Sequence, residues 1–206
     1  MSLLDLTGRE LLAAFSADTP TPGGGSASAY AGAMGASLLA MVSHLRKSRH
    51  NTDEERAVLA ETGGRLLALR DDLARLTDED TAAFDAVMAA FKLPKATDEE
   101  KAVRSEAVQA ATLAATLAPL HVMQAATDAL MLSLTVARFG NQNAASDVHV
   151  GVSLLLAAVG GANENVEINL PSLANEPRRL KLREEAATFR TRAAQAASQA
   201  KAALRP

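Results

Sequence analysis

The chain contains no cysteine and no tryptophan, one tyrosine, and only 3% aromatic residues over 206 positions. Without cysteine there is no disulfide framework, no thiolate zinc site and no thiol nucleophile, which agrees with a reducing compartment. A net charge of −3 with so few rings disfavours nucleic-acid binding, which draws on a basic stripe and stacking aromatics. A secretory signal is also not expected. Asp5 interrupts the apolar start from Met1 to Leu6 and no basic n-region or h-region follows, so the cytoplasm is the expected location. The two long uncharged stretches, 19–45 and 107–127, do not read as membrane spans. The first opens with two prolines and three glycines, and the second carries Gln109, Pro119, His121 and Gln124, so both are expected to be helices buried in protein.

What is present in quantity is alanine, at 45 positions. It is the best helix former, β-branched residues are sparse, and no hairpin chemistry appears, so the expected fold is all-α. The chain reads as one domain over 1–206, a multi-helix bundle of long antiparallel helices. A first helix is predicted near 7–17, with Thr7 and Glu10 as a capping box and Leu4, Leu11, Leu12 and Phe15 on one face. The segment from Thr19 to Gly25 is predicted to be irregular, because each proline pushes its predecessor to extended geometry and the glycines leave the backbone free. Ser26 is then expected to cap a helix over about 26–47, lined with small residues that imply a close neighbour. From about 53, the stripe Leu59, Leu66, Leu69, Leu73, Leu76, Phe84, Val87 and Phe91 marks a long helix. Thr97 and Glu100 open another, in which Pro119 is expected to kink or restart the helix before it stops at Gly140. A helix over about 144–159 is predicted to end at Gly160-Gly161, with Asn163, Asn165 and Asn169 in an irregular piece. The last helix starts at Pro177.

Polar residues cluster where this alanine-rich chain leaves its helices. The run Pro20 to Ser26 leads glycines into a helix N-terminus, where free N–H groups suit an anion or a polar ring, although a tight turn explains it equally well. No P-loop or Gly-x-Gly-x-x-Gly pattern is present. Asp80 lies four residues after Leu76 and four before Phe84. In an unbroken helix it is a carboxylate on the buried face, with the raised pKa that a general acid needs; at a helix break, Thr77 and Asp80 would instead form a capping box. Asn141, Asn143 and Asp147, and then Asn163, Asn165 and Asn169, offer donors and acceptors to a heterocycle edge, against the ordinary use of asparagine in turns. His44, His50, His121 and His149 show no metal-ligand spacing, and no metal site is expected. Ser26 and Ser28 have no evident partner that would make a nucleophile.

Taken in order, these residues carry a resemblance. The string Thr19-Pro-Thr-Pro-Gly-Gly-Gly-Ser-Ala-Ser-Ala-Tyr-Ala-Gly32, then Asp80-x-x-Ala-Phe84, Leu93-Pro-Lys95, Pro119-Leu120, Gly140-Asn-x-Asn143 with Ser146-Asp147-x-x-Val-Gly151, and Asn165-x-x-Ile-Asn169-Leu170 resembles the cyclodeaminase/cyclohydrolase family. The six motifs stand in the family's order over about residues 5–190. The resemblance implies a helical homodimer that holds a reduced folate near the subunit interface. It also implies formimidoyltetrahydrofolate cyclodeaminase or methenyltetrahydrofolate cyclohydrolase activity, or else a folate-binding protein without turnover. It places the catalytic role on Asp80. Pro22, Gly23, Gly24, Gly25, Ser26, Asn141, Asn143, Asp147, Asn165 and Asn169 would bind substrate, and Lys95 would meet the glutamate tail. No cofactor beyond the folate substrate is implied. Tyr30 and five phenylalanines are the only rings, so the backbone of Gly23–Gly25 and aliphatic walls are expected to hold the pterin.

Overall fold

The computed structural model describes residues 2–45 and 51–204. Apart from single 3-10 turns, the regular elements among them are six α-helices: α1 (Gly8–Phe15), α2 (Gly24–His44), α3 (Asp53–Phe91), α4 (Asp98–Phe139), α5 (Ala145–Asn169) and α6 (Glu176–Ala203). Three of them begin at capping boxes, Thr7 with Glu10, Thr52 with Glu55 and Thr97 with Glu100. In each, the threonine hydroxyl accepts from the third helical N–H and the glutamate reaches back, satisfying two donors that the helix leaves free. The all-α expectation holds. The expected extension of α2 to 47, and His50, lie outside the described residues.

The helices are longer than the punctuation suggests. Pro119 lies inside α4 without ending it, and α5 runs through Gly160-Gly161 to Asn169, so Asn163, Asn165 and Asn169 are helical rather than irregular. Tertiary packing overrides propensity in both places. At Gly161 the reason is close approach, because a Cβ there would overlap the Ser28 hydroxyl on α2. On α1, only Leu11 is buried and Leu12 is 73% exposed, so the single face expected there is not used as a core face.

Residue pairings fix the topology. Along α2, Gly25 faces Asp80, Gly32 faces Leu73 and Gly63 faces Ser43, so α2 and α3 are antiparallel. Gly24 faces Asn165, Gly32 faces Ala158 and Gly35 faces Gly151, so α2 and α5 are antiparallel as well. α4 and α6, two steps apart in the chain, run in the same direction, with Gln109 bonded to Ser172 and Thr127 to Phe189. The α2–α5 contact is close enough that a Cβ on Gly35 would lie 2.7 Å from the Gly151 carbonyl oxygen.

Burial holds the bundle together. Leu39, Leu59, Leu66, Leu73, Met123, Leu130 and Leu155 are fully buried in one connected cluster, each contributing ~1.5–3 kcal/mol. Ion pairs such as Lys101–Asp98 and Arg183–Glu167 are exposed and contribute ~0–1 kcal/mol each. α4 and the stretch containing α5 are long and apolar enough by composition to cross a membrane, yet 67% and 39% of their most apolar windows are buried inside the protein. The α3–α4 hairpin projects beyond this core, leaving Met88, Phe91 and Val103 exposed.

Candidate active site

Asp80 sits in the middle of α3, which is unbroken from Asp53 to Phe91. Thr77 donates to the Leu73 carbonyl at 3.1 Å, so the capping-box alternative for Thr77 and Asp80 is ruled out. The carboxylate points at the first turn of α2. Its Oδ2 accepts from the Ser26 backbone N–H at 2.8 Å and from the Ser26 hydroxyl at 3.1 Å. That N–H is one of the donors a helix start leaves free, at the positive end of the helix dipole. Gly25 makes the approach possible, because a Cβ there would overlap the Asp80 carboxylate. Burial pushes the Asp80 carboxyl above its ordinary range, and the two Ser26 hydrogen bonds pull the other way.

A second device places a carboxamide opposite. Pro119 has no N–H to give to the Ala115 carbonyl one turn back, which would leave that oxygen orphaned. Asn169 supplies the missing donor, with Nδ2 2.8 Å from the Ala115 oxygen. Two separated motifs in the sequence are thereby a single repair. One turn earlier on α5, Asn165 donates through Nδ2 to the Gly161 carbonyl at 2.8 Å. With both amino groups committed to carbonyls, each Oδ1 is the acceptor left for a ligand.

These side chains meet at a cavity of about 320 Å³ lined by Pro20, Thr21, Gly23, Gly24, Gly25, Asp80, Phe84, Val87, Ala115, Asn165, Ile168 and Asn169. Its volume is at the lower end of small-molecule sites. Asp80 is the sole ionisable side chain in that lining. Phe84, Val87, Ala115 and Ile168 supply apolar walls, and the polar side chains are Thr21, Asp80, Asn165 and Asn169. Among the described residues, no group of three or more His, Asp and Glu is placed to hold a metal ion.

A pocket with one half-buried carboxylate, two carboxamides and a glycine-rich helix start has relatives. The family model for formiminotransferase-cyclodeaminase matches residues 7–188. The chain belongs to that family. It is 38% identical over 172 residues to the methenyltetrahydrofolate cyclohydrolase of Methylorubrum extorquens, covering 82% of this chain and 83% of that one. It is 33% identical over 175 residues to the formimidoyltransferase-cyclodeaminase of Rattus norvegicus, covering 85% of this chain and 32% of that longer protein. The fold matches the crystal structure of formiminotetrahydrofolate cyclodeaminase from Thermotoga maritima with a TM-score of 0.87 at 26% identity, over 98% of each chain.

The positions that the family resemblance singles out do not all meet. Gly23, Gly24, Gly25, Asp80, Asn165 and Asn169 line the cavity. Pro22 is in the same loop but outside the lining, and Ser26 is fully buried, facing Asp80 rather than the open space. Lys95 is exposed in the α3–α4 turn beyond Phe91, away from the cavity. Asn141, Asn143 and Asp147 belong to the opposite end of α5. Asp147 precedes Asn165 by 18 residues on that helix, about 27 Å along its axis. There the Asn141 side chain caps the turn, accepting from the Asn143 N–H at 3.0 Å. His121 and His149 are exposed, and His44 bonds through Nδ1 to the Ala40 carbonyl at 2.8 Å.

Sequence reasoning gave Ala115 no site role and read Val87 only as core, while Thr21, Phe84 and Ile168 stood inside the family motifs without a binding role of their own; all five line the cavity. Reading α5 as unbroken would have put Asn165, Ile168 and Asn169 on one face through their spacing of three and four. The expected aliphatic wall is present, joined by one ring, Phe84; Tyr30 is not in the lining.

The repair of α4 can be tested by a double-mutant cycle. Asn169→Ala is expected to cost about 1–2 kcal/mol in urea unfolding by stripping the Ala115 carbonyl of its donor. In the Pro119→Ala background the cost should largely vanish, because an amide at position 119 then reaches that carbonyl. Additive losses would contradict the pairing.

Proposed function

We propose that this protein acts on the one-carbon bridge between N5 and N10 of a reduced folate, as a methenyltetrahydrofolate cyclohydrolase or a formimidoyltetrahydrofolate cyclodeaminase, with Asp80 transferring the protons. The observation that carries this reading is the half-buried Asp80 carboxylate, held by Ser26 at the start of α2 and standing as the one ionisable group in the cavity lining. Burial raises that carboxyl above its ordinary range, which makes it a better proton donor than an exposed carboxyl. Both reactions involve 5,10-methenyltetrahydrofolate, as substrate of one and product of the other, so a single pocket suits either.

In the hydrolase direction, water adds to the cationic methenyl carbon and ionised Asp80 takes a proton from it. The carboxylate then returns a proton to N5 as the carbon–N5 bond breaks, leaving the formyl group on N10 and releasing one proton overall. In the deaminase direction the amidine enters protonated and N10 attacks its carbon. Asp80 carries the N10 proton to the departing nitrogen, which leaves as ammonia, and the methenyl cation remains. Ring closure is intramolecular, so holding N10 against the carbon supplies much of the acceleration. Both sequences balance with water and protons alone, and the folate is substrate rather than resident cofactor.

Glycines 23–25 and the two asparagine Oδ1 acceptors would hold the polar ring, with Phe84, Val87 and Ile168 against its flat faces. We place the reaction in the cytoplasm and the active form as a homodimer with the site near the interface. Supporting the dimer, Ile168 at the cavity is 75% exposed, and Val103 and Phe91 on the projecting hairpin are 62% and 49% exposed, an apolar surface of the kind that a second copy covers. A monomer by sedimentation velocity at micromolar concentration would contradict it.

Purified protein is expected either to bleach the methenyl absorbance of 5,10-methenyltetrahydrofolate, or to generate it with ammonia from 5-formimidoyltetrahydrofolate. Asp80→Asn should fold, bind and lose about 10²–10⁴-fold in kcat. Undiminished turnover in that variant would remove Asp80 from the chemistry. Folate binding with neither conversion would mark a binding protein without turnover.

A further inference from the structure

The two oxygens of Asp80 are not equivalent. Oδ2 is held by both Ser26 donors. Among the described residues Oδ1 has no hydrogen-bond partner. Since no buried side-chain nitrogen or oxygen among the described residues lacks a partner, Oδ1 is not sealed in the core; it opens towards the cavity that Asp80 lines.

Behind Ser26 stands Thr81. Threonines within α-helices commonly return their hydroxyl to the carbonyl four residues back. Thr62, Thr77 and Thr116 do so here, at 2.8, 3.1 and 2.8 Å. Thr81 makes no such bond, and its Oγ1 lies 3.2 Å from the Ser26 Oγ. Ser26 has one hydroxyl proton. If it goes to Asp80, Thr81 must be the donor in the contact between the two hydroxyls.

We propose that Thr81 and Ser26 form a directed hydrogen-bond chain, Thr81 O–H to Ser26 Oγ and Ser26 O–H to Asp80 Oδ2, that makes Oδ1 the oxygen exchanging protons with the ligand. Neither residue touches substrate; both are positioning residues. The chain and the α2 N-terminus accept the negative charge left when Oδ1 gives up its proton, and with Oδ2 engaged the proton cannot be lost to the protein side. Among the described residues lining the cavity, no other group is charged. α2 offers Gly25 and Ser26, α4 Ala115, and α5 Asn165 and Asn169; on α3 itself Asp78 accepts from Ser2 and Leu3, and Glu79 pairs with Arg75.

This inference rests on the proposed role of Asp80, and its test has a readout independent of turnover. Full-length protein with carbon-13 at the aspartate carboxyls is titrated by NMR, Asp80→Asn identifying the Asp80 signal, and pH profiles of kcat/KM are measured in parallel. Ser26→Ala is expected to raise the Asp80 pKa by about half a unit or more, through loss of a donor to the charged form, and to move the low-pH limb of the profile with it. Thr81→Val should move both in the same direction by less, and Thr81→Ser should restore them. The sign discriminates. If Ser26 instead donated to Thr81, Thr81→Val would free that proton for Asp80 and lower its pKa. A lowered or unchanged value overturns the chain, as does a uniform fall in kcat without movement of the limb. Thr81→Val, at a half-buried position, decides the matter alone if Ser26→Ala does not fold. Turnover surviving in Asp80→Asn would count against the proposed function and leave the NMR result standing.

Discussion

The contact between the first turn of α2 and the carboxylate of Asp80 sets the terms for the rest of the molecule. A carboxylate half-buried among helices is costly unless donors meet it, and the donors here are the backbone N–H and hydroxyl of Ser26. For them to reach Oδ2, residue 25 must lack a side chain, and α2 must begin where α3 is still in mid-course. A bundle in which α2 and α3 run antiparallel with residue 25 opposite residue 80 meets both conditions. A shift of one residue along α2 would rotate Ser26 by roughly 100° away from its partner.

Small residues hold that register. α2 lies between α3 and α5, and its glycines and alanines let the backbones approach until Gly35 and Gly151 meet almost carbonyl to backbone. Close-packed interiors are poorly compressible, so the scaffold holds the polar groups within narrow limits. The asparagines are fixed by the same logic. Asn169 is locked because Pro119 leaves the Ala115 carbonyl in need of a donor, and Asn165 is locked on its own helix. Their remaining acceptors and Asp80 Oδ1 then confront whatever enters the cavity.

The helical class was legible from composition, and periodicity offered Asp80 a place on the face of Leu66, Leu73, Leu76 and Phe84 without deciding it against a capping box at Thr77. The glycine-rich loop was legible from composition. What could not be read locally depended on long-range packing. Pro119 and Gly160-Gly161 look like helix ends until the neighbouring helices are known, so the grouping of Asn165, Ile168 and Asn169 on one face stayed hidden. Asn141, Asn143 and Asp147 resembled the other polar clusters in composition. The length of α5 sets them at the far end of the bundle, a separation that spacing along an interrupted chain does not reveal. Thr81 carried no signal at all, since its distinction is a hydrogen bond it declines to make with its own helix.

The central claim is that the one-carbon bridge of a reduced folate reacts at Asp80 Oδ1, inside the cavity between α2, α3 and α5. A crystal structure of Asp80→Asn with 5,10-methenyltetrahydrofolate tests it most directly. The account predicts the bridging carbon within about 3–4 Å of the side chain at position 80, close enough for proton transfer directly or through one water, with the pterin edge on Asn165 and Asn169. Ligand bound at the Asn141–Asp147 end of the bundle, or in the cavity with its bridge turned away from position 80, would contradict it.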